Sequence, residues 1–160
     1  MRAAVVTVSD GVAAGERDDE SGRLLVELLE AERYDVEHRV VPDERPQISA
    51  AIRELSRTAR LILTTGGTGV SLRDFTPEAT NSVLDRPVPG IAEAIRADAI
   101  SKTPHGLLGR GVAGVRGQTL VVNLPGSPGG ARDGFAVLQP ALRHALELLA
   151  DASELHHRQT

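Results

Sequence analysis

Two aspartates and a run of glycines are the residues of this chain best suited to chemistry. Gly66-Gly67-Thr68-Gly69 follows the apolar run 61–65, and Asp74 comes shortly after, just ahead of Thr76-Pro77-Glu78. Glycine tolerates positive φ and leaves main-chain N–H groups open to an anion, so such a turn at a strand end fits a phosphate cradle. A plain strand-to-helix turn fits it equally well. No Gly-Lys-Ser/Thr follows, which excludes a Walker loop. Thr76, with Pro77 behind it, is expected to be the N-cap of the next helix, which leaves Asp74 outside that helix. A free carboxylate beside a phosphate cradle suits Mg2+, commonly held by one or two acids together with substrate phosphates and water. Asp43, after the run 36–41, is the natural second acid, and its alternative reading is a helix cap.

Other reactive side chains read more plainly. Gly109-Arg110-Gly111-Val112-Ala113-Gly114 has the spacing of a dinucleotide fingerprint, but it precedes a strand instead of opening a helix. It is expected to be a loop over the site, with Arg110 or Arg116 near an anion. His38, His105, His144, His156 and His157 lack metal-ligand spacing, and most read as solvated. Neither Ser71 nor Ser127 sits in a Gly-x-Ser-x-Gly elbow, so neither reads as a hydrolase nucleophile. Lys102, the single lysine, reads as a solvated charge in a loop.

The scaffold that must position these groups follows from hydrophobic pattern. Runs 3–8, 36–41, 61–65 and 120–124 read as strands, several of them apolar enough to be buried on both faces. Helical periodicity covers 18–33 and 46–57, a helix starts near 76, and further helices span 89–100 and 135–150. The stretch 106–116 is too glycine-rich to assign. Alternation of strands and helices implies an α/β fold, a three-layer α/β/α sandwich around a mostly parallel sheet. In such sheets ligands bind at the carboxyl ends of the strands, where Ser9-Asp10-Gly11, Pro42-Asp43, the 66–69 turn and Pro125-Gly126-Ser127-Pro128 should converge.

Composition narrows the partners. At 160 residues one domain is expected, covering 1–150, with 151–160 as a polar tail. The net charge of −4 argues against nucleic acid as the main partner, because phosphate-backbone binding needs a concentrated basic surface. With no cysteine there is no disulfide, thiolate metal site or cysteine nucleophile, in keeping with a reducing compartment. No stretch approaches the ~20 apolar residues of a membrane span, and a cytoplasmic location is expected.

The run 64–80, together with Asn123-Leu124-Pro125-Gly126-Ser127-Pro128, resembles the molybdopterin adenylyltransferase family, which includes the Mog and MoaB proteins and the gephyrin G domain. Ser9-Asp10-Gly11, Val41-Pro42-Asp43, Pro89-Gly90-Ile91 and Val112-Ala113-Gly114 match as well. The resemblance implies a three-layer α/β fold, commonly a homotrimer or a dimer of trimers, that takes ATP, Mg2+ and molybdopterin. It implies transfer of AMP to the terminal phosphate of molybdopterin with release of pyrophosphate, and contact with the protein that inserts molybdate. By motif position the essential aspartates are Asp43 and Asp74. Nucleotide and pterin contacts are expected from Ser9, Asp10, Gly66, Gly67, Thr68, Gly69, Ser71, Arg73, Pro125, Gly126 and Ser127. Leu72 stands where the family often has proline, and Gly109 where serine often precedes the arginine. Nucleotidyl transfer relies on alignment and charge neutralisation, so the lack of a covalent nucleophile agrees with this reading. The competing reading is a non-catalytic molybdopterin-binding or assembly paralogue of the same fold.

Overall fold

The structure, a computed structural model, describes residues 1–157, with side chains described for 1–151. Its core is a six-stranded sheet. Strands β1 (Arg2–Val8), β2 (Asp35–Val41), β3 (Leu61–Thr65) and β6 (Thr119–Leu124) run parallel to one another. Strands β4 (Arg86–Pro87) and β5 (Ala113–Arg116) close one side in antiparallel pairing, which gives the order β2-β1-β3-β6-β5-β4.

Side-chain alternation splits the core into two layers, as period-2 strands require. Ala3, Val5, Leu61, Leu63, Leu120 and Val122 face helices α2 (Glu20–Ala31), α5 (Pro89–Lys102) and α6 (Pro128–His157) through Leu25, Leu29, Ile95, Phe135 and Leu138. Ala4, Val6, Ile62 and Val121 face α3 (Arg45–Leu55) and α4 (Thr76–Asn81) through Ile48, Ile52, Leu55 and Ala79. The three-layer sandwich is therefore the observed fold. Among the described residues no helix is long and apolar enough to cross a membrane.

Several elements differ from the sequence-based expectation. A four-residue helix α1 (Asp10–Ala13) follows β1 directly, capped by Ser9, whose Oγ accepts the Val12 N–H at 3.2 Å. The stretch 106–116 resolves into a 3-10 turn (Pro104–Leu108) and β5. Helix α6 begins at Pro128, seven residues ahead of position 135, because Ser127 caps it: its Oγ accepts the Gly130 N–H at 3.1 Å. The same helix continues to His157, so the expected polar tail is helical to that residue. The remaining tail positions, and the side chains of His156 and His157, lie outside the described residues. Lys102 ends α5 and pairs with Asp98 and Asp133.

Candidate active site

Strand β1 leads to β2 on one side, and β3 lies on its other side, so the carboxyl ends of β1 and β3 form a switch point where a crevice opens. The turn after β3 is shaped for it. Gly66 and Gly67 take φ values of 99° and 66°. A Cβ on Gly66 would stand 2.2 Å from the Val8 carbonyl oxygen, so the end of β1 can approach only because the side chain is missing. Gly126, after β6, packs against the same turn, where a Cβ would lie 3.1 Å from the Gly66 Cα.

Thr76 is not the cap of α4. Phe75 holds the N-cap position, Thr76 is the first helical residue, and its hydroxyl donates to the Gly66 carbonyl at 2.8 Å. Asp74 remains outside the helix, and its Oδ2 accepts the Ser71 N–H at 2.9 Å. The helix-cap alternative for Asp43 is likewise removed, since Glu44 is the N-cap residue of α3 and makes no side-chain cap bond. Asp43 instead exchanges bonds with Asp10: the Asp10 N–H donates to Asp43 Oδ2 at 2.8 Å, and the Asp43 N–H donates to Asp10 Oδ1 at 2.9 Å. Among the described residues, Oδ1 of Asp43 and Oδ1 of Asp74 accept no hydrogen bond, so each acid has an oxygen available to a cation.

Asp43 lies in an environment that disfavours its charged form. Burial pushes its carboxyl above the ordinary value, and the charges of Asp10 and Asp74 push the same way. The Asp10 N–H and Arg73 oppose that rise. A divalent cation between Asp43 and Asp74 would remove the repulsion. Asp10 is held below its usual range by the Arg73 guanidinium, which donates to Asp10 Oδ2 at 2.7 Å.

Val8, Ser9, Asp43, Gly66, Gly67, Asp74, Gly126 and Ser127 share one cavity of about 710 Å3. Thr68, Gly69, Pro125 and Ser127 line a neighbouring cavity of about 290 Å3, which is mainly apolar and includes Ile95 and Leu108. Asp10, Ser71 and Arg73 line neither. Arg110 contacts protein groups of the 69–78 segment, and Arg116 lies at the other edge of the sheet, opposite Thr119, where its Nη1 donates to the Val83 carbonyl.

Sequence reasoning missed one wall of the larger cavity, formed by Thr7, Arg17, Asp19 and Ser21. Asp19 caps α2 through the Gly22 N–H and accepts the Thr7 hydroxyl at 2.7 Å. His38 Nε2 lies 2.9 Å from Asp19 Oδ2 and 3.0 Å from Thr7 Oγ1, so this histidine is a partly buried partner and not a solvated side chain. An acid immediately before a helical pattern that follows the first strand was the available signal.

The class these features define is a doubly wound α/β protein with an anion-suited turn and two acids at the switch point of its sheet. The chain belongs to the family described as "probable molybdopterin binding domain", which matches residues 4–144. It is 33% identical over 150 residues to a molybdopterin adenylyltransferase of Helicobacter pylori, covering 91% of this chain and 85% of that protein. It is 38% identical over 157 residues to gephyrin of Dictyostelium discoideum, covering 91% of this chain but spanning only 22% of that longer protein. Among solved structures, MoaB of Thermus thermophilus superimposes with a TM-score of 0.86 at 48% identity, covering 92% of this chain and 95% of that one.

Proposed function

We propose that this protein is a molybdopterin adenylyltransferase of molybdenum cofactor biosynthesis. The observation that carries the reading is the convergence of Asp43 and Asp74 on a positive-φ glycine turn within one cavity. In the reaction an oxygen of the terminal phosphate of molybdopterin attacks the α-phosphorus of ATP. The bond from that phosphorus to the oxygen bridging to the β-phosphorus breaks, and pyrophosphate leaves.

The chain's own groups align the reactants for this displacement. Gly66 and Gly67 open main chain toward the phosphates, and the turn at Gly126 and Ser127 closes the cradle from the β6 side. Asp43 and Asp74 would hold Mg2+, which neutralises charge on the phosphates and on departing pyrophosphate. Among the described residues no three His, Asp or Glu side chains form a closed metal site.

The test is to supply molybdopterin, ATP and Mg2+ and to follow pyrophosphate and adenylylated molybdopterin together. Wild type is expected to form both. Asp74→Ala is expected to lose turnover while still binding molybdopterin. Wild type that binds molybdopterin but forms no adenylylated product would establish the binding-paralogue reading instead. The homotrimer implied by the resemblance is checked by sedimentation, where a stable monomer would contradict it.

A further inference from the structure

Two arginines stand on either side of the acid pair, and each makes the same kind of bond set. Arg73 donates to the main-chain carbonyl of Asp43 at 3.2 Å, to Glu44 at 3.0 Å, and to both carboxylate oxygens of Asp10. Arg110 donates to the main-chain carbonyl of Asp74 at 2.9 Å, to the Gly69 carbonyl at 2.7 Å, and to Glu78. Each guanidinium thus takes the carbonyl of one metal-site aspartate and a glutamate just downstream of it.

Both acids sit where no regular element holds them. Asp43 lies between the end of β2 and the start of α3, and Asp74 lies between β3 and α4. Arg73 ties the β3–α4 connection to the β2–α3 connection, and Arg110 ties the segment before β5 to the β3–α4 connection. A planar guanidinium can bond several acceptors in a fixed fork, which an ammonium cannot.

We propose that Arg73 and Arg110 are positioning residues: by clamping the main chain at Asp43 and Asp74 they set the spacing of the two carboxylates. The proposal rests on the reading of those acids as the Mg2+ ligands of a nucleotidyl transfer. The bonds of Arg73 run from Nε and Nη2 and those of Arg110 from Nε, Nη1 and Nη2, so each guanidinium is fixed in place by the main chain and acids around the pair. The Arg73 and Arg110 side chains are 53% and 38% exposed, and ion pairs at such exposure contribute little to stability. Small misplacement of catalytic groups, in contrast, is costly in rate.

The experiment compares wild type with Arg73→Ala, Arg110→Ala, Arg73→Lys and Arg110→Lys. Mn2+ binding in the presence of ATP is read by electron paramagnetic resonance, alongside kcat, KM for ATP and thermal melting. The alanine variants are expected to lose about 10- to 100-fold in kcat and about tenfold in Mn2+ affinity, with KM for ATP changed less than about threefold and melting close to wild type. The lysine variants should resemble the alanine ones. A tenfold rise in KM for ATP at unchanged kcat, reversed by lysine, would overturn the proposal and mark a phosphate contact. Should an arginine variant fail to fold, Glu44→Ala and Glu78→Ala keep both arginines and are expected to weaken Mn2+ binding about threefold; unchanged binding there also overturns it. If wild type transfers no AMP yet the arginine variants bind Mn2+ less tightly, the catalytic reading fails and the clamp stands. If wild type transfers AMP and those variants bind Mn2+ as wild type does, the clamp alone fails.

Discussion

Two segments of this chain are rich in glycine, and the residue serves a different end in each. In the 66–69 turn, Gly66 and Gly67 adopt positive φ at the carboxyl edge of the sheet and line the cavity, besides allowing Val8 and Thr76 to pack closely on them. In the segment 106–114 no glycine takes positive φ, and close packing alone explains Gly106 and Gly114. A Cβ on Gly114 would stand 2.5 Å from a Leu84 methyl carbon and 2.6 Å from the Arg86 carbonyl oxygen, and one on Gly106 would meet the Ile100 N atom at 2.5 Å. Glycine count alone does not separate the two uses; backbone sign and position on the sheet edge do.

Alanine substitutions can break this contrast. Gly66→Ala combines a disfavoured φ with a main-chain clash at Val8, so a loss of about 3 kcal/mol and loss of nucleotide binding are expected, read by thermal melting and ATP titration. Gly114→Ala overpacks β5 against Leu84 and the β4 main chain. It should cost about 2 kcal/mol while kcat of the folded fraction stays at the wild-type value. A large loss of kcat there would mean that the second segment also shapes the site.

Gly69→Ala sharpens the contrast from inside the turn. Its φ is ordinary, but its Cβ would lie 2.9 Å from Asp74 Oδ2, the end of a side chain that can swing away. Melting should move little, while the Mg2+ concentration needed for half-maximal activity should rise about tenfold. The smallest effect concerns Glu78, which the Arg110 guanidinium holds below the ordinary glutamate range. A lowered carboxylate contributes stability in full above its unfolded value of about 4.3, and that stability is lost as pH falls through the folded value. Acid unfolding curves of wild type and Glu78→Gln should therefore differ slightly above that pH, with wild type more stable, and converge below it.

Much of the scaffold was legible because burial on both faces leaves continuous apolar runs. The strands at 3–8, 61–65 and 120–124 and the α2 and α3 stripes follow from that and from helical period. What was illegible depends on contacts between distant segments. The Asp10–Asp43 exchange joins residues 33 apart, and the Thr7–Asp19–His38 cluster joins a strand, a helix cap and a second strand. The start of α6 was hidden by Gly129-Gly130, which read as loop although Ser127 and Pro128 form a good helix opening. For Arg73 the expectation came from motif position, and the bonds it makes to Asp10, Asp43 and Glu44 join segments too far apart in sequence to be read from it.

The most direct test of the site is a crystal of the protein soaked with Mn2+ and a non-hydrolysable ATP analogue, with the metal located by anomalous scattering. The account predicts one metal peak bridged by the Asp43 and Asp74 carboxylates and bonded to phosphate oxygens lying over Gly66 and Gly67. A triphosphate bound elsewhere, or a metal that touches neither aspartate, would contradict it.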